Sequence, residues 1–290
     1  MIDGFKFKFT EHSDVRTLFR HPLIDKKAFV SVDTGLVYDQ YLNAKYKGIR
    51  FQYNDDKEIF VRGNLYKYYT GLKNFNNFKV SDAIEALKQL ECDLGVDFSK
   101  AEVMRLEWGL NIDLPSDISV NRFIENVLTY KGRIPDYKQY PGGGLMRTFD
   151  LTEFFIKFYD KSAQAKNLSN VLRMELVGRR KTFFKRIDIK SVSDLYKTSS
   201  VLRLQEELMK INSHIIFYDN EIETGTLLRK DMQLIADFNR PLGWHNLMKF
   251  NPELYRKKKP QFRKRITEIS GINWNECLKE MITIHSSQLF

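Results

Sequence analysis

The sequence predicts an α+β protein: an antiparallel sheet with helices packed on one face and an open charged face, followed by a smaller helical C-terminal domain. Three observations predict it. Stretches 103–114, 153–161 and 171–177 each alternate apolar with charged residues, the period of a half-buried strand. The elements run β-β-β-α-β-α-β-β-β, an order typical of antiparallel sheets with segregated helices. After Arg180 strand patterns fade and helical spacing takes over, so the chain divides into residues 1–190, α+β, and 191–290, helical and basic.

Residues 1–80 are rich in aromatic and β-branched side chains, with candidate strands at 28–32 and 49–53. Asn54-Asp55-Asp56 signals a turn into a strand at 58–62, completing a hairpin. Ser81 reads as a helix cap with Asp82 in the first turn, and Gly95 as the stop. The strand 103–114 ends at Pro115, and 119–129 reads as a helix. Residues 137–144, ending in Pro141-Gly142-Gly143-Gly144, read as a flexible loop, with strands following at about 145–150, 153–161 and 171–177. Leu202, Leu204, Glu207, Leu208 and Ile211 predict one late helix; Leu227, Leu228, Met232, Ile235 and Phe238 predict another.

The chain has 290 residues, 42% of them hydrophobic, enough for a packed core. Its 47 Lys+Arg against 37 Asp+Glu give a net charge of +10, which favours a polyanionic partner such as nucleic acid. The two cysteines, Cys92 and Cys277, fit neither a disulfide framework nor zinc spacing, so a reducing, cytoplasmic setting is expected. No signal peptide or membrane span is expected either. The five histidines are scattered, and no phosphate-binding glycine motif or Ser-His-Asp pattern is present.

The polar sides of the three strands carry an unusual set. Arg105, Glu107, Gly109, Asn111 and Asp113 share one face, Lys157, Tyr159 and Lys161 another, and Arg173 and Glu175 a third. That set suits a metal-assisted attack on a phosphodiester. Glu107 and Glu175, on neighbouring strands about 4.8 Å apart, are the candidate ligands for Mg²⁺ or Mn²⁺. Asn111 is a weaker ligand, about 13 Å from Glu107 along the strand. The competing reading is a salt-bridged surface pairing Glu107 with Arg173 and Glu175 with Arg105. Mid-strand Gly109 leaves a gap for a ligand backbone, or marks a bulge.

Tyr159 is the candidate nucleophile, flanked by Lys157 and Lys161; Tyr137 and Tyr140 are rivals beside the glycine loop. The run Tyr255-Arg256-Lys257-Lys258-Lys259-Pro260-Gln261-Phe262-Arg263-Lys264-Arg265 is a candidate phosphate-tracking segment, or else a solvated face. Residues 66–75 are a second aromatic–basic cluster, suited to stacking bases or to simple packing.

Three blocks resemble phage and plasmid rolling-circle replication initiators, especially those of Bacteroidetes elements. They are Leu106-Glu107-Trp108-Gly109-Leu110-Asn111-Ile112, Lys157-Phe158-Tyr159-Asp160-Lys161 and Leu172-Arg173-Met174-Glu175, with Arg62 to Tyr68 similar to an upstream block. The resemblance implies a nicking endonuclease of the HUH superfamily, one that cuts an origin strand with a tyrosine and a divalent metal, keeps the 5′ phosphate and leaves a 3′ hydroxyl. It implies Glu107, Glu175 and Asn111 in the metal region and Tyr159 with Lys161 in the Tyr-Asp-Lys block. Arg105 and Arg173 would position DNA or the carboxylates. The paired metal histidines of the superfamily are absent: Arg105 and Gly109 flank Glu107 on its face. The implied partners are origin DNA and a host helicase and polymerase. The alternative is a non-enzymatic DNA-binding module on the same scaffold; an RNA-binding protein fits the charge and aromatics too.

Overall fold

A computed structural model describes residues 2–9, 18, 21–53, 58–71, 78–139, 144–166 and 169–289. The strands are β1 (Ile2–Phe9), β2 (Asp25–Val30), β3 (Val37–Tyr46), β4 (Ile49–Tyr53), β5 (Ile59–Asn64), β6 (Glu102–Asp113), β7 (Val127–Tyr130), β8 (Asp136–Gln139), β9 (Leu145–Asp150), β10 (Phe154–Asp160), β11 (Val171–Gly178) and β12 (Ile215–Phe217). The helices are α1 (Leu65–Thr70), α2 (Val80–Leu94), α3 (Val120–Asn126), α4 (Lys161–Ala165), α5 (Lys181–Arg186), α6 (Val192–Leu195), α7 (Thr198–His214), α8 (Arg229–Phe238), α9 (Pro241–Phe250), α10 (Pro252–Ser270) and α11 (Trp274–Ser287).

One antiparallel sheet of ten described strands runs β2-β3-β4-β5-β1-β6-β11-β10-β9-β8. The expected α+β class is what the chain adopts. The N-terminal strand β1 lies between β5 and β6, joining the early hairpins to the three strands of mixed character. Alternation then sorts side chains: Leu106, Trp108, Leu110 and Ile112 of β6 are buried with Ile156 and Phe158 of β10 and Leu172, Met174 and Leu176 of β11. Helices α2, α3, α5 and α11 pack on sheet strands and close this core. Each fully buried large side chain there contributes roughly 1.5–3 kcal/mol.

A second core forms around the two-stranded sheet β7–β12, where Leu128 and Ile216 meet Ile235, Trp244, Tyr255, Phe262 and Ile266 of α8, α9 and α10. The two cores do not divide at residue 190, because Leu204, Leu208, Trp274, Leu278 and Ile282 belong to the first.

Three local expectations are corrected. The helix expected over 119–129 stops at Asn126, and Val127–Tyr130 becomes β7 by pairing with β12. Residues 137–139, expected in a loop, belong to the edge strand β8, which pairs with β9. The cap of α2 is Lys79, whose backbone N–H donates to the Asp82 carboxylate; Ser81 lies inside the helix, and Gly95 ends it at φ 62 as expected. The turn at Asn54-Asp55-Asp56 lies outside the described residues.

Candidate functional site

Register builds the polar face of the sheet. Glu175 stands between Gly109 of β6 and Lys157 of β10, and Arg173 between Asn111 and Tyr159. The three blocks singled out in the sequence therefore lie side by side on consecutive strands.

Glu175 is the hub. Its Oε1 accepts from the Tyr159 hydroxyl at 2.9 Å and from Arg173 Nε at 3.1 Å. Its Oε2 accepts from Lys157 Nζ at 3.0 Å. Burial opposes its ionisation, yet Arg173, Lys157 and these hydrogen bonds hold it down to about 2. Arg173 is fully enclosed; its Nη1 donates to Asn111 Oδ1 at 3.0 Å and its Nη2 lies 3.6 Å from Asp3 Oδ2. Arg173, with no exposed surface, therefore takes the carboxylate-holding one of its two expected roles, and the expected DNA contact is the part corrected. Asn111 is committed to Arg173 in the same way.

Gly109 is required by this network. A Cβ there would lie 2.8 Å from Glu175 Cγ and 3.0 Å from the Arg173 guanidinium carbon. The expected gap exists, but protein side chains fill it. The expected salt-bridged surface is also present with its partners exchanged: Arg105 pairs with Glu107 at 2.7 Å and Arg173 with Glu175, each within one strand.

Asp3 was not visible as a site residue. A register shift between Ile2 and Phe5 sets Asp3 and Gly4 against β6 at a bulge, which turns Asp3 toward Arg173 and Asn64. Burial raises its pKa, with Arg173 opposing. At the head of α4, the Asp160 carboxylate accepts from Ala163 N–H and fixes Lys161 with its ammonium over the Tyr159 ring, 5.9 Å from the centroid. Burial, with Arg173 nearby, lowers Lys161 to about 8.

A second feature escaped the sequence reading. Arg50, Arg62, Lys6 and Arg105 are direct cross-strand neighbours on β4, β5, β1 and β6. They line a pocket of about 500 Å³ with Glu107. Like charges placed directly opposite repel, so this row calls for an anion. Beside it, half-buried Phe155 has Lys157, Arg105 and Arg179 at 5.1, 5.3 and 5.7 Å from its ring centroid. An aromatic face among cations suits a stacked base. The alternation Phe5-Lys6-Phe7-Lys8-Phe9 could have revealed the strand, but not its neighbours.

The basic run lies on α10 and is split by helical phase. Arg256, Lys259 and Arg263 line one pocket with Pro260. Lys257 and Lys264 are exposed, and Lys258 is half-buried. Arg265 is held by the buried Asp231 and by Glu268, so it is structural and is corrected as a DNA contact. Of the second aromatic cluster, Tyr66 and Tyr68 are buried, Tyr68 bonding Asp93; packing is their role. Residues 72–75 of that cluster lie outside the described residues.

Tyr137 pairs with Arg147, which pairs with the core residue Phe158, so it lies on the sheet face opposite Tyr159. Tyr140 is outside the described residues.

The oxygen donors here have the right chemistry for a hard cation. Each carboxylate, however, already holds a protein cation: Glu175 has Lys157 and Arg173, Glu107 has Arg105. Among the described residues no three His, Cys, Asp or Glu side chains group as metal ligands. Register sets Glu175 opposite Gly109 and Glu107 opposite Val177, so the two expected ligands stand diagonally, and a divalent ion would compete with Lys157, Arg173 and Arg105 for them.

Fold and face together define an α+β protein whose sheet carries a tyrosine–carboxylate–arginine cluster beside a row of cations. No family model matches the chain, and no curated protein does. Among solved structures it is similar to the rolling-circle replication initiator protein from Geobacillus stearothermophilus, with 13% identity over 90% of this chain and 96% of that one, at a TM-score of 0.42. Similarity at that level assigns neither function nor residue. No described helix is long and apolar enough to cross a membrane.

Proposed function

We propose that the polar face of the sheet binds single-stranded DNA and that Tyr159 nicks and rejoins it, as an initiator of rolling-circle replication does at an origin. The observation that carries this reading is the Tyr159 hydroxyl seated on Glu175 at 2.9 Å, with Lys157, Lys161 and Arg173 around it. The three sequence blocks and the cationic row support it. The row Arg50–Arg62–Lys6–Arg105 holds the phosphates, and Phe155 stacks a base.

Glu175 orients the phenol. Lys161, lowered to about 8, has a usable neutral form near neutral pH; leaving Gln164, it takes the phenolic proton, directly or through one water, as the hydroxyl turns from Glu175. Tyr159 Oη forms a bond to phosphorus and the P–O3′ bond breaks. The 3′ oxygen leaves as a hydroxyl, taking a proton from Lys157 or solvent, and the 5′ phosphate stays on the tyrosine. Arg173 keeps Glu175 charged throughout. Mg²⁺ or Mn²⁺ belongs to the proposal as an ion that Glu107 and Glu175 would hold in competition with Lys157, and it would supply polarisation of the scissile phosphate.

The test is incubation of the protein with a labelled pool of random single-stranded DNA and Mn²⁺, followed by a denaturing gel. A labelled band at protein mass, absent in Tyr159→Phe, is the expected result. One observation favours a second reading, a DNA-binding module without nicking: Tyr159 is only 6% exposed and its hydroxyl is already engaged. Under that reading binding persists and no band forms, including with duplex and hairpin origin fragments of the host element.

A further inference from the structure

On the helical side of the molecule, a pocket of about 700 Å³ opens between α10 and the end of α7. Lys131, His214, Arg256, Lys259 and Arg263 line it, and among the described residues no carboxylate does. Three devices bring these cations together. Arg256, Lys259 and Arg263 recur at helical spacing on one side of α10. His214 is the last residue of α7. Lys131 sits in a tight turn after β7, where it and Gly132 have φ 49 and 71 and Tyr130 pairs back to Arg133. Gly132 is needed there, because a Cβ would lie 2.5 Å from Met248 Cβ.

A purely structural role accounts for part of this. Lys259 Nζ donates to the Ser213 carbonyl at 2.8 Å and Arg263 Nη2 to the same oxygen at 3.0 Å, capping the exposed carbonyls where α7 ends. A helix end carries only about half a negative charge. Lys131, Arg256, Lys259 and Arg263 line the same pocket, so it keeps a positive excess. That excess shows on its own members: burial, then Lys131, Lys259 and Arg263, push His214 down to about 4, and burial and Arg263 push Lys259 down to about 8.

We propose that this pocket binds a nucleotide, its phosphate held by Lys131, Arg256, Lys259 and Arg263 and its ring laid against Tyr255, Met248 and Pro260. A phosphate alone would leave most of the space empty, whereas a phosphate with an attached ring system matches both the cationic and the apolar wall. Free nucleotides and nucleotides within a DNA strand present the same chemistry. The site shares no residue with the sheet face and does not depend on Tyr159 chemistry.

Calorimetric titration of the full chain with thymidine, thymidine 5′-monophosphate, inorganic pyrophosphate and a short oligothymidylate tests it. The variant Lys131→Gln/Arg256→Gln removes two cations that cap no carbonyl in the described hydrogen bonds; Lys257→Gln/Lys264→Gln removes the same charge from an exposed stripe of α10. The expected result is binding of the phosphate-bearing probes and not thymidine, weakened about tenfold or more in the pocket variant, the order of one lost charge-assisted hydrogen bond, and retained in the control. Phosphate binding also raises the His214 pKa from about 4, followed by the ring proton resonance missing in His214→Gln. Binding of the monophosphate identifies a free nucleotide as a source. Binding of the oligonucleotide alone, weakened in the pocket variant only, identifies the strand. Absence of phosphate binding, or equal loss in both variants, overturns the proposal. The sheet face is intact in both variants, so covalent nicking reports on Tyr159 separately.

Discussion

Gly109 lies directly across from Glu175, and the space its missing side chain leaves is taken by the Glu175 and Arg173 side chains. The neighbour at closest approach also includes the Met174 carbonyl, 2.8 Å from a Cβ at this position, which is backbone and cannot swing away. Gly109→Ala should therefore cost about 1–3 kcal/mol through overpacking, read as a lower midpoint in urea. It should also displace Glu175 from Tyr159 and remove any covalent DNA adduct. An alanine variant with unchanged stability would mean that the network has room to spare.

Arg173 supports the same carboxylate from below. Removing it leaves Glu175 and Asp3 buried without their main counter-charge, so Arg173→Ala should destabilise the chain by about 3–5 kcal/mol. Arg105→Ala removes an arginine that is far more exposed, ion-paired with Glu107 and set beside the Phe155 ring, and should cost under about 1 kcal/mol. Denaturant unfolding of the two variants side by side checks the contrast. Equal costs would contradict the burial that separates them.

The acid limb of stability should belong largely to Glu175. Its folded pKa, about 2, lies below the ordinary 4.5. The stabilisation it brings is complete above about 4.5 and is lost as pH falls toward 2, to a total of roughly 3 kcal/mol. His214 adds in the same direction, because its folded pKa of about 4 makes its contribution complete above 6.5 and lost below it. Glu175→Gln should make the profile shallower below pH 4.5, leaving there the share of Asp194, which, against burial, hydrogen bonds from Lys197, Lys190 and Ser191 hold low, and leave the region between 4.5 and 6.5 to His214.

Lys161 works in the opposite range. Burial disfavours its charged form, so stability should rise with pH from about 8 toward 10.5, where the unfolded chain still binds the proton and the folded chain has released it. If the neutral amine takes the Tyr159 proton, the adduct-forming rate should rise with pH and level off above about 8. Lys161→Met should remove that inflection. A rate that instead falls above pH 8 would assign Lys161 a purely cationic role.

The polar blocks were legible in the sequence because alternation fixes which side chains share a face, and β6, β10 and β11 pair in register with few irregularities. What was not legible came from neighbours distant in the chain. Nothing local says that β1 inserts between β5 and β6, so Lys6 could not be set beside Arg62 and Arg105. Asp3 depends on a bulge, which shifts alternation by one residue. The edge strand β8 failed because 136–139 has neither strong β-branching nor clean alternation, and its pairing with β9 decides it. On α10 the split between Arg265, bound to Asp231, and Arg263, facing the pocket, was open to a helical reading of the run; the partner aspartate was not.

The cationic row gives the sharpest test of what the sheet face holds. Arg50, Arg62, Lys6 and Arg105 span three strand spacings, about 14 Å, enough for two to three successive phosphates of a single strand. Arg50 and Arg62 are exposed and far from the Tyr159–Glu175 cluster in register, so replacing both with glutamine should leave stability nearly unchanged or slightly improved, since they face each other as like charges. Single-stranded DNA affinity should fall, and the slope of log K against log salt should shrink by about 1.4, two contacts at about 0.7 each. Lys257→Gln/Lys264→Gln on α10 has the same charge change at a different surface. If both pairs of substitutions reduce the slope equally, binding follows net charge alone; if only the sheet pair does, the phosphates run across β4, β5, β1 and β6 toward Glu107 and the tyrosine beyond it.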